Sequence, residues 1–315
     1  MKKIRVAAIG ECMAELTRES DGLFQMKFAG DTYNTAVYVS RLGGAFVDVH
    51  FITATGDDWL SSAQISAMEA EGLHVDAAIL PGATPALYIV NTDDSGERTF
   101  TYFRDASPVR AMLGPTWSHS STEQLNGFDL IYLSAVTLQL LSPSARVELW
   151  IRIAAARKTG TLVAFDSNYR ARGWSSPEAA DQAITDALCH IDIALPSYSD
   201  ELELNNDITR QEVLDRYVNA GAREVVLKDG SLPVTLWAEG NTTEYPLLNS
   251  VVPVDTTGAG DSFNAGYLIS RLRGSSIAES VGRAQEIARI VVGARGGVVD
   301  ALFTRSMSSR GKVQF

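Results

Sequence analysis

A glycine-rich segment in the C-terminal part of the chain carries the clearest chemical signal in the sequence. Gly258, Ala259 and Gly260 are followed at once by Asp261, and from Ala265 onward apolar residues recur at helical spacing. A helix therefore begins at or just past the glycines. Because glycine has no β-carbon, backbone N–H groups in such a turn can approach an anion closely, and the helix dipole adds a partial positive charge. The segment predicts a phosphate-binding site.

The carboxylate of Asp261 has two interpretations. At the start of a helix, an isolated carboxylate usually serves only as a cap. Beside an anion site, it can accept the proton of a hydroxyl that attacks a phosphoryl group, while the N–H groups stabilise the phosphoryl charge. A second acid, Asp255, favours the catalytic interpretation. The sequence has no G-x-x-x-x-G-K-[ST] segment, and Gly10 after the first strand starts no G-x-G-x-x-G segment, which argues against P-loop and Rossmann sites.

The composition excludes several classes of function. The 315 residues include 38 acidic and 27 basic side chains, and this net charge of −11 leaves no basic surface for nucleic acids or anionic membranes. Cys12 and Cys189 form neither a disulfide framework nor a zinc site, and the four histidines do not share metal-ligand spacing. No apolar segment is long enough to cross a bilayer or to act as a signal peptide, so we expect a cytoplasmic protein.

The elements that position the glycine-rich segment alternate between strands and helices from the middle of the chain onward. Ser142-Pro143 and Ser176-Pro177 are typical of helix starts. Continuous apolar runs predict buried strands at residues 130–133, 161–165, 191–195 and 225–227. Strands that are apolar on both faces and separated by helices are typical of a parallel sheet covered by helices on both sides. The pattern predicts a doubly wound α/β fold.

Two strand-like segments do not follow this alternation. Residues 86–91 and 99–104 flank a turn at 93–96 and predict a β-hairpin. The pattern leaves two interpretations open: a lid over a site, or an edge hairpin with no role beyond packing.

Several motifs resemble those of the PfkB, or ribokinase-like, carbohydrate kinases. Residues 255–266 resemble the C-terminal signature of that family, and residues 28–36 with Arg41-Leu42-Gly43 resemble the N-terminal one. Within the family, the closest similarity is to kinases that phosphorylate the 6-hydroxyl of 2-keto-3-deoxygluconate with ATP and Mg²⁺. The motifs that carry this similarity are residues 10–16, 29–32, 96–104 and 166–170.

The resemblance implies a fold and a set of site residues. We expect one ribokinase-like domain over residues 1–315, with a mostly parallel, doubly wound sheet, helices on both faces and a small β-lid from about 11–33 and 86–105. Asp261 is expected to be the catalytic base, beside an anion hole formed by Gly258, Ala259 and Gly260. The residues expected at the substrate are Gly30, Asp31, Asn34, Tyr88, Tyr102, Arg104, Arg170 and Asp261. Those expected at the nucleotide are Asn168, Ser197, Lys228, Gly230, Gly258 and Gly260.

Arg104 and Arg170 bear on the choice of substrate. A sugar acid has a carboxylate, which guanidinium binds through a charge-assisted, often bidentate fork, whereas a neutral sugar has none. An arginine on a hairpin is usually solvated, so the assignment of Arg104 and Arg170 to the substrate rests on the motifs that contain them. Two alternatives stay open. One is a kinase of the same family that acts on fructose, ribose or a nucleoside, and the other is a non-catalytic sugar-binding regulator.

Two segments depart from the family's pattern. Pro233 stands where the last glycine of a K-x-G-x-x-G loop is expected, so residues 228–230 either border the nucleotide or form a simple hairpin turn. Ser197 replaces the asparagine of an N-x-x-E motif; Asp200 and Glu201 either order Mg²⁺ through water or simply begin a helix.

Lid residues in such enzymes often form dimer contacts, so we expect a homo-oligomer. The sequence leaves open whether a monovalent cation assists.

Overall fold

A nine-stranded sheet forms the centre of the structure. The computed structural model describes residues 3–19, 21–92, 98–114, 125–205, 208–248 and 251–299. In chain order, the strands of these residues are β1 (Ile4–Ile9), β2 (Met13–Arg18), β3 (Phe24–Ala29), β4 (Val47–Thr55), β5 (His74–Ile79), β6 (Leu87–Thr92), β7 (Arg98–Phe103), β8 (Leu130–Ser134), β9 (Leu162–Asp166), β10 (Ile193–Ala194), β11 (Glu224–Leu227), β12 (Val234–Ala238) and β13 (Asn241–Tyr245).

The central sheet has the strand order β13-β12-β11-β10-β9-β8-β1-β4-β5. Neighbouring strands run parallel from β11 to β5, and β12 and β13 complete the sheet as antiparallel strands. The mostly parallel sheet that the apolar runs predict is therefore confirmed. The strand predicted at residues 191–195 is shorter than expected, since β10 covers Ile193–Ala194. Next to it, the side chain of Asp192 accepts the N–H of Val163 at 3.0 Å.

Both faces of the central sheet are covered. In β1, Ala7 and Ile9 belong to one hydrophobic cluster, while Val6 and Ala8 belong to another. Alternate side chains of a strand point to opposite faces, so the two clusters are the cores on the two sides of the sheet. This explains why the central strands are apolar without alternation.

Nine helices of the described residues build these cores. They are α1 (Asp31–Gly43), α2 (Trp59–Ala70), α3 (Ala135–Leu140), α4 (Pro143–Arg157), α5 (Pro177–Leu188), α6 (Tyr198–Asn205), α7 (Arg210–Asn219), α8 (Ala259–Leu272) and α9 (Ile277–Val292). Ser142 and Ser176 cap α4 and α5, and each accepts a backbone N–H of the first turn. The two predicted helix starts are confirmed. None of the described helices is long and apolar enough to cross a membrane.

A second sheet has four strands in the order β3-β2-β6-β7. The hairpin predicted from the sequence is confirmed, since β6 and β7 pair antiparallel, while β2 pairs parallel with β6. Its turn at residues 93–96 lies outside the described residues. The segments 11–33 and 86–105, to which the sequence analysis assigns a lid, contain these four strands. The role as a lid stays a prediction.

Candidate active site

The candidate site lies where the parallel strands end. Ser134 is the last residue of β8, Asp166 is the last residue of β9, and Lys228 directly follows β11. In open α/β sheets, ligands bind beyond the carboxyl ends of the strands. Helices α1 and α8 bring Asn34 and Asp261 to the same place, because the Asn34 Nδ2 donates to Asp261 Oδ2 at 2.8 Å.

The glycine turn at the start of α8 has a shape that requires glycine. Gly258 has a φ of +75°, and a β-carbon there would lie 2.3 Å from the carbonyl oxygen of Gly297. The helix begins at Ala259, as the apolar spacing predicts. The N–H groups of a first helical turn have no partner within the helix, so this turn presents donors and the positive end of a dipole.

The carboxyl group of Asp261 is held at this helix end. Asn34 donates to its side chain, and the Thr35 hydroxyl donates to its backbone carbonyl at 3.3 Å. Burial raises the pKa of Asp261 to about 8, and the carboxylates of Asp31 and Asp166 contribute to this rise. A carboxyl group with a pKa near that of the medium suits a general base.

Lys228 places a positive charge next to the glycine turn. Its Nζ donates to Asp166 Oδ2 at 3.1 Å and to Asn264 Oδ1 at 2.9 Å. Asn264 in turn donates to Asp166 at 2.6 Å and to the Tyr132 hydroxyl at 3.2 Å. A β-carbon on Gly260 would lie 3.7 Å from the Lys228 Nζ. The ammonium group is thus fixed within reach of an anion at the turn.

The carboxylate of Asp31, which raises the pKa of Asp261, is itself held by two hydrogen bonds. Its Oδ2 accepts from the Ser134 hydroxyl at 2.5 Å and from Asn168 Nδ2 at 2.7 Å. Asn168, expected at the nucleotide, therefore contacts a residue expected at the sugar. Gly30 precedes α1, and a β-carbon there would lie 2.2 Å from the backbone oxygen of Glu11, so only glycine fits.

Tyr88 and Tyr102 face each other across β6 and β7 in the second sheet. Their ring centroids are 5.5 Å apart. Tyr88 is buried, and its hydroxyl donates to the buried carboxylate of Glu15, whereas Tyr102 is 40% exposed. The pair forms an aromatic surface on which Tyr102 is the more accessible ring.

The two arginines each contact a carboxylate of the protein. Arg104 Nε donates to Glu11 Oε2 at 2.5 Å, and Arg170 Nη1 donates to Asp200 Oδ2 at 3.2 Å. Burial raises the pKa of Glu11, and the Asp31 carboxylate adds to this rise. Burial lowers the pKa of Arg170, but carboxylates that include Asp200 and Asp31 raise it overall. Asp31 therefore lies close enough to Glu11, the partner of Arg104, and to Arg170 to affect the pKa values of both.

Asp200 and Glu201 lie in the first turn of α6 and differ in their surroundings. Glu201 is buried; it accepts from the Tyr217 hydroxyl at 2.6 Å and lies 3.4 Å from Arg216. Asp200 is more accessible, and burial raises its pKa while Arg170 lowers it. Among the described residues, no group of three or more His, Cys, Asp or Glu side chains could hold a metal ion. Mg²⁺ commonly uses one or two carboxylates and completes its shell with water and phosphate oxygens, and Asp200 fits that pattern.

The loop after β11 forms a hairpin, and its role at the nucleotide stays a prediction. Gly230 has a φ of +55° in the turn that joins β11 to the antiparallel β12, so the hairpin is confirmed. Ser197 forms a parallel bridge with Lys228, and the Tyr198 N–H donates to the Lys228 carbonyl at 2.7 Å. These bonds bring residues 197–198 and 228–230 side by side next to the glycine turn.

Sequence reasoning did not assign several residues of this site. They are Glu11, Glu15, Thr35, Tyr132, Ser134, Asp166 and Asn264. A usable signal existed for Asp166, a carboxylate at the end of an apolar strand. Tyr132 and Ser134 carry no comparable signal, because their role depends on which strands become neighbours.

Comparison with known proteins identifies the family. The family described as "pfkB family carbohydrate kinase" matches residues 3–302. The chain belongs to this family of carbohydrate kinases. It is 40% identical over 299 residues to the 2-dehydro-3-deoxygluconokinase of Dickeya dadantii (strain 3937), covering 93% of this chain and 96% of that protein. It is 37% identical over 303 residues to the enzyme of the same name from Escherichia coli (strain K12), covering 94% and 97%.

Solved structures show the fold of the family. A candidate ribokinase II of Escherichia coli, in complex with ATP and Mg²⁺, superposes with a TM-score of 0.79 at 21% identity and covers 94% of each chain. The ribokinase-like α/β fold implied by the motifs is therefore confirmed for this pfkB-family kinase.

Proposed function

We propose that this carbohydrate kinase transfers the γ-phosphate of ATP to the 6-hydroxyl of 2-keto-3-deoxygluconate, also called 2-dehydro-3-deoxygluconate. The observation that carries the proposal is the Asp261 carboxyl, which Asn34 holds beside a glycine turn and the Lys228 ammonium group. The choice of substrate is supported by the identity to the two relatives over most of their length.

Asp261 acts as the general base in this mechanism. It accepts the proton of the 6-hydroxyl while the hydroxyl oxygen bonds to the γ-phosphorus and the bond from phosphorus to the β-phosphate oxygen breaks, releasing ADP. Its pKa of about 8 gives it the basicity to take that proton near neutral pH. Asn34 keeps the carboxyl oriented toward the hydroxyl.

The glycine turn and Lys228 stabilise the charge of the transferred group. The turn Gly258-Ala259-Gly260 forms the anion hole; the Ala259 N–H donates to the Thr256 carbonyl at 3.2 Å, so the N–H groups of Gly258 and Gly260 are its main donors. Lys228 adds a fixed positive charge next to Gly260. Asp200 would hold Mg²⁺ through water, and the bound ion would neutralise phosphate charge. Glu201, bonded to Tyr217 inside the fold, serves structure instead.

The sugar acid lies between Asp31 and the second sheet. Gly30, Asp31 and Asn34 hold its hydroxyl groups, while Tyr88 and Tyr102 cover it as part of the lid. Arg104 and Arg170 bind its carboxylate, because a planar guanidinium matches the geometry of that group. The Asn168 amide donates to Asp31 and so fixes the Asp31 carboxylate that binds the sugar. Closure of the lid excludes water from the transfer.

The nucleotide lies on the other side of Asp261. We assign it to Ser197, Lys228, Gly230, Gly258 and Gly260. The bridge between Ser197 and Lys228 and the proximity of the Lys228 Nζ to Gly260 support this assignment. We place the enzyme in the cytoplasm, where ATP is available, as one domain over residues 1–315. Exposed apolar side chains on the lid support a homo-oligomer; they are Leu23, Phe24, Met26 and Phe103.

A second candidate is a family member that phosphorylates a neutral sugar. Both arginines already have a carboxylate partner within the protein, Glu11 for Arg104 and Asp200 for Arg170. An arginine with such a partner needs no substrate carboxylate to be satisfied. A non-catalytic regulator has less support, since binding alone does not require a base such as Asp261.

The deciding experiment is ATP-dependent phosphorylation with Mg²⁺, comparing 2-keto-3-deoxygluconate with fructose, ribose and gluconate. A kcat/KM preference of roughly a hundredfold for the keto-deoxy acid, about 3 kcal/mol of transition-state discrimination, is the expected result. Preference for a neutral sugar retains the kinase and its base but rejects the carboxylate site. Binding without turnover favours the regulator. The same assay with and without K⁺ tests assistance by a monovalent cation.

A further inference from the structure

A buried carboxylate connects the central sheet to Arg104. Glu11 lies between β1 and β2 and is 3% exposed. Its Oε2 accepts from Arg104 Nε at 2.5 Å, and its Oε1 accepts from the Ser107 hydroxyl. We propose that Glu11 is a positioning residue, which fixes the Arg104 guanidinium so that its outer edge meets the carboxylate of a sugar acid. This inference rests on the proposed function, because it requires a substrate with a carboxylate.

The bond to Glu11 uses one part of the guanidinium group. Among the described residues, Glu11 is the protein acceptor of the Arg104 guanidinium, and only its Nε donates to it. The Arg104 side chain is 16% exposed. The two Nη groups form the other edge of a planar fork, which suits a second carboxylate. An arginine held in advance loses less conformational freedom when the substrate binds.

Glu11 also fixes the backbone that carries Arg104. The Ser107 N–H donates to the Arg104 carbonyl at 3.1 Å, so the two residues close one tight turn after β7. Glu11 accepts from the side chains at both ends of that turn. The Glu11 carboxylate therefore sets both the direction of the Arg104 side chain and the position of the backbone that carries it.

The pair changes how Arg104 recognises its ligand. A carboxylate and a guanidinium together carry no net charge, so Arg104 contributes the geometry of its hydrogen bonds more than a free positive charge. A buried carboxylate is costly without partners, and here both oxygens of Glu11 are bonded. A role in anchoring the second sheet alone would also explain this burial, so the test must separate anchoring from positioning.

The test compares 2-keto-3-deoxygluconate with 3-deoxyfructose, in which a CH₂OH group replaces the carboxylate. Glu11→Met keeps the length of the side chain but releases Arg104. We expect KM for the acid to rise by about tenfold or more, with kcat and the KM for ATP within about threefold of wild type, and kcat/KM for 3-deoxyfructose unchanged. Thermal unfolding checks that each variant is folded.

Glu11→Gln is the conservative variant that restores the positioning. Its amide oxygen can accept from Arg104 Nε, and its amide nitrogen can donate to the Ser107 oxygen, so both bonds are kept. We expect the acid-to-neutral ratio of kcat/KM to stay within about threefold of wild type. A collapse of that ratio in the folded Gln variant overturns the proposal, even if the Met variant does not fold.

Two further comparisons exclude a purely structural role. In the background of Arg104→Ala, Glu11→Met should have less than about a twofold further effect on the acid, since the two residues act as one unit. Glu15→Ala removes a buried carboxylate of the same sheet whose partner is Tyr88, and it should affect acid and neutral substrate equally. If Glu11→Met lowers kcat/KM equally for both substrates, or keeps its full effect in the Arg104→Ala background, then Glu11 only anchors the second sheet. If Arg104→Ala leaves the wild-type ratio unchanged, the carboxylate site of the proposed function fails instead.

Discussion

Replacement of Asp261 by Asn should stabilise the protein by an amount that grows with pH. The pKa of Asp261 is about 8 in the folded protein and about 3.9 in an unfolded chain. Between these values the folded state holds a proton that the unfolded state has released. The free energy of unfolding of the wild type therefore falls as pH rises, and it stops falling above the folded pKa. Asn has no proton to lose, and its side-chain oxygen can still accept from Asn34.

The magnitude follows from the same two pKa values. A single group of this kind changes the free energy of unfolding by about 1.4 kcal/mol per pH unit between its two pKa values. From about pH 5 to pH 8 this sums to roughly 4 kcal/mol, an upper value because relaxation and water entry reduce the penalty of a buried charge. We expect Asp261→Asn to gain about 2–4 kcal/mol relative to wild type over that range.

Urea denaturation of both proteins at about pH 5, 7 and 9, extrapolated to water, measures this difference. Asp215→Asn, a change at an exposed aspartate of α7, is the matched control and should follow the wild type at each pH. Parallel pH dependence in wild type and Asp261→Asn would show that Asp261 is not an acid held protonated by burial and by Asp31 and Asp166. The reasoning about its basicity would then be refuted.

Four further predictions concern the reaction. The kcat/KM of the wild type should fall with unit slope below about pH 8, as Asp261 takes up a proton, and a flat pH profile would contradict its role as the base. Asp261→Asn should lose about 10²–10⁴-fold in kcat. Arg104→Ala should raise KM for the keto-deoxy acid far more than for a neutral sugar, and equal effects in steady-state kinetics would argue against carboxylate recognition. Gly258→Ala should nearly abolish turnover, since its β-carbon meets the Gly297 carbonyl at 2.3 Å, and an active, well-folded variant would show that the turn is not required. Asp200→Asn should need about tenfold more Mg²⁺ for half-maximal rate, and an unchanged Mg²⁺ titration would remove Asp200 from the metal site.

The local features of the fold could be predicted from the sequence because they depend on neighbouring residues. Gly258 and the apolar spacing after Ala265 fix the start of α8, and Pro143 and Pro177 fix two others. The continuous apolar strands required helices on both sides of the sheet. The order of the strands has no such local signature. The hairpin that makes β12 antiparallel to β11 was one of two interpretations of residues 228–230, whereas β13 was not predicted.

The network around Asp261 could be predicted only in part for the same reason. Asp166 and Lys228 are 62 positions apart and meet because β9 and β11 both flank β10. The contact of the Asn168 amide with Asp31 was not predicted, and the expected role of Asn168 at the nucleotide stays a prediction. Motifs identified these residue types, while the pairing of side chains depended on the sheet.

The carboxylates around Asp261 have separate hydrogen-bond donors, and this arrangement explains how a buried acid becomes a base. Asp31 is held by Ser134 and Asn168, and Asp166 is held by Lys228 and Asn264. Each is therefore fixed in place without sharing the Asn34 amide that holds Asp261. Fixed negative groups next to a buried carboxyl favour its protonated form, which makes it a stronger base once it is ionised. Burial alone would achieve less, because both neighbours add to the pKa of Asp261. Burial is the largest cause of the raised pKa of Asp261, and Asp31 and Asp166 add to it without needing to touch the phosphoryl group. Substitution of either neighbour by its amide should therefore shift the acid limb of the pH profile of kcat/KM downward.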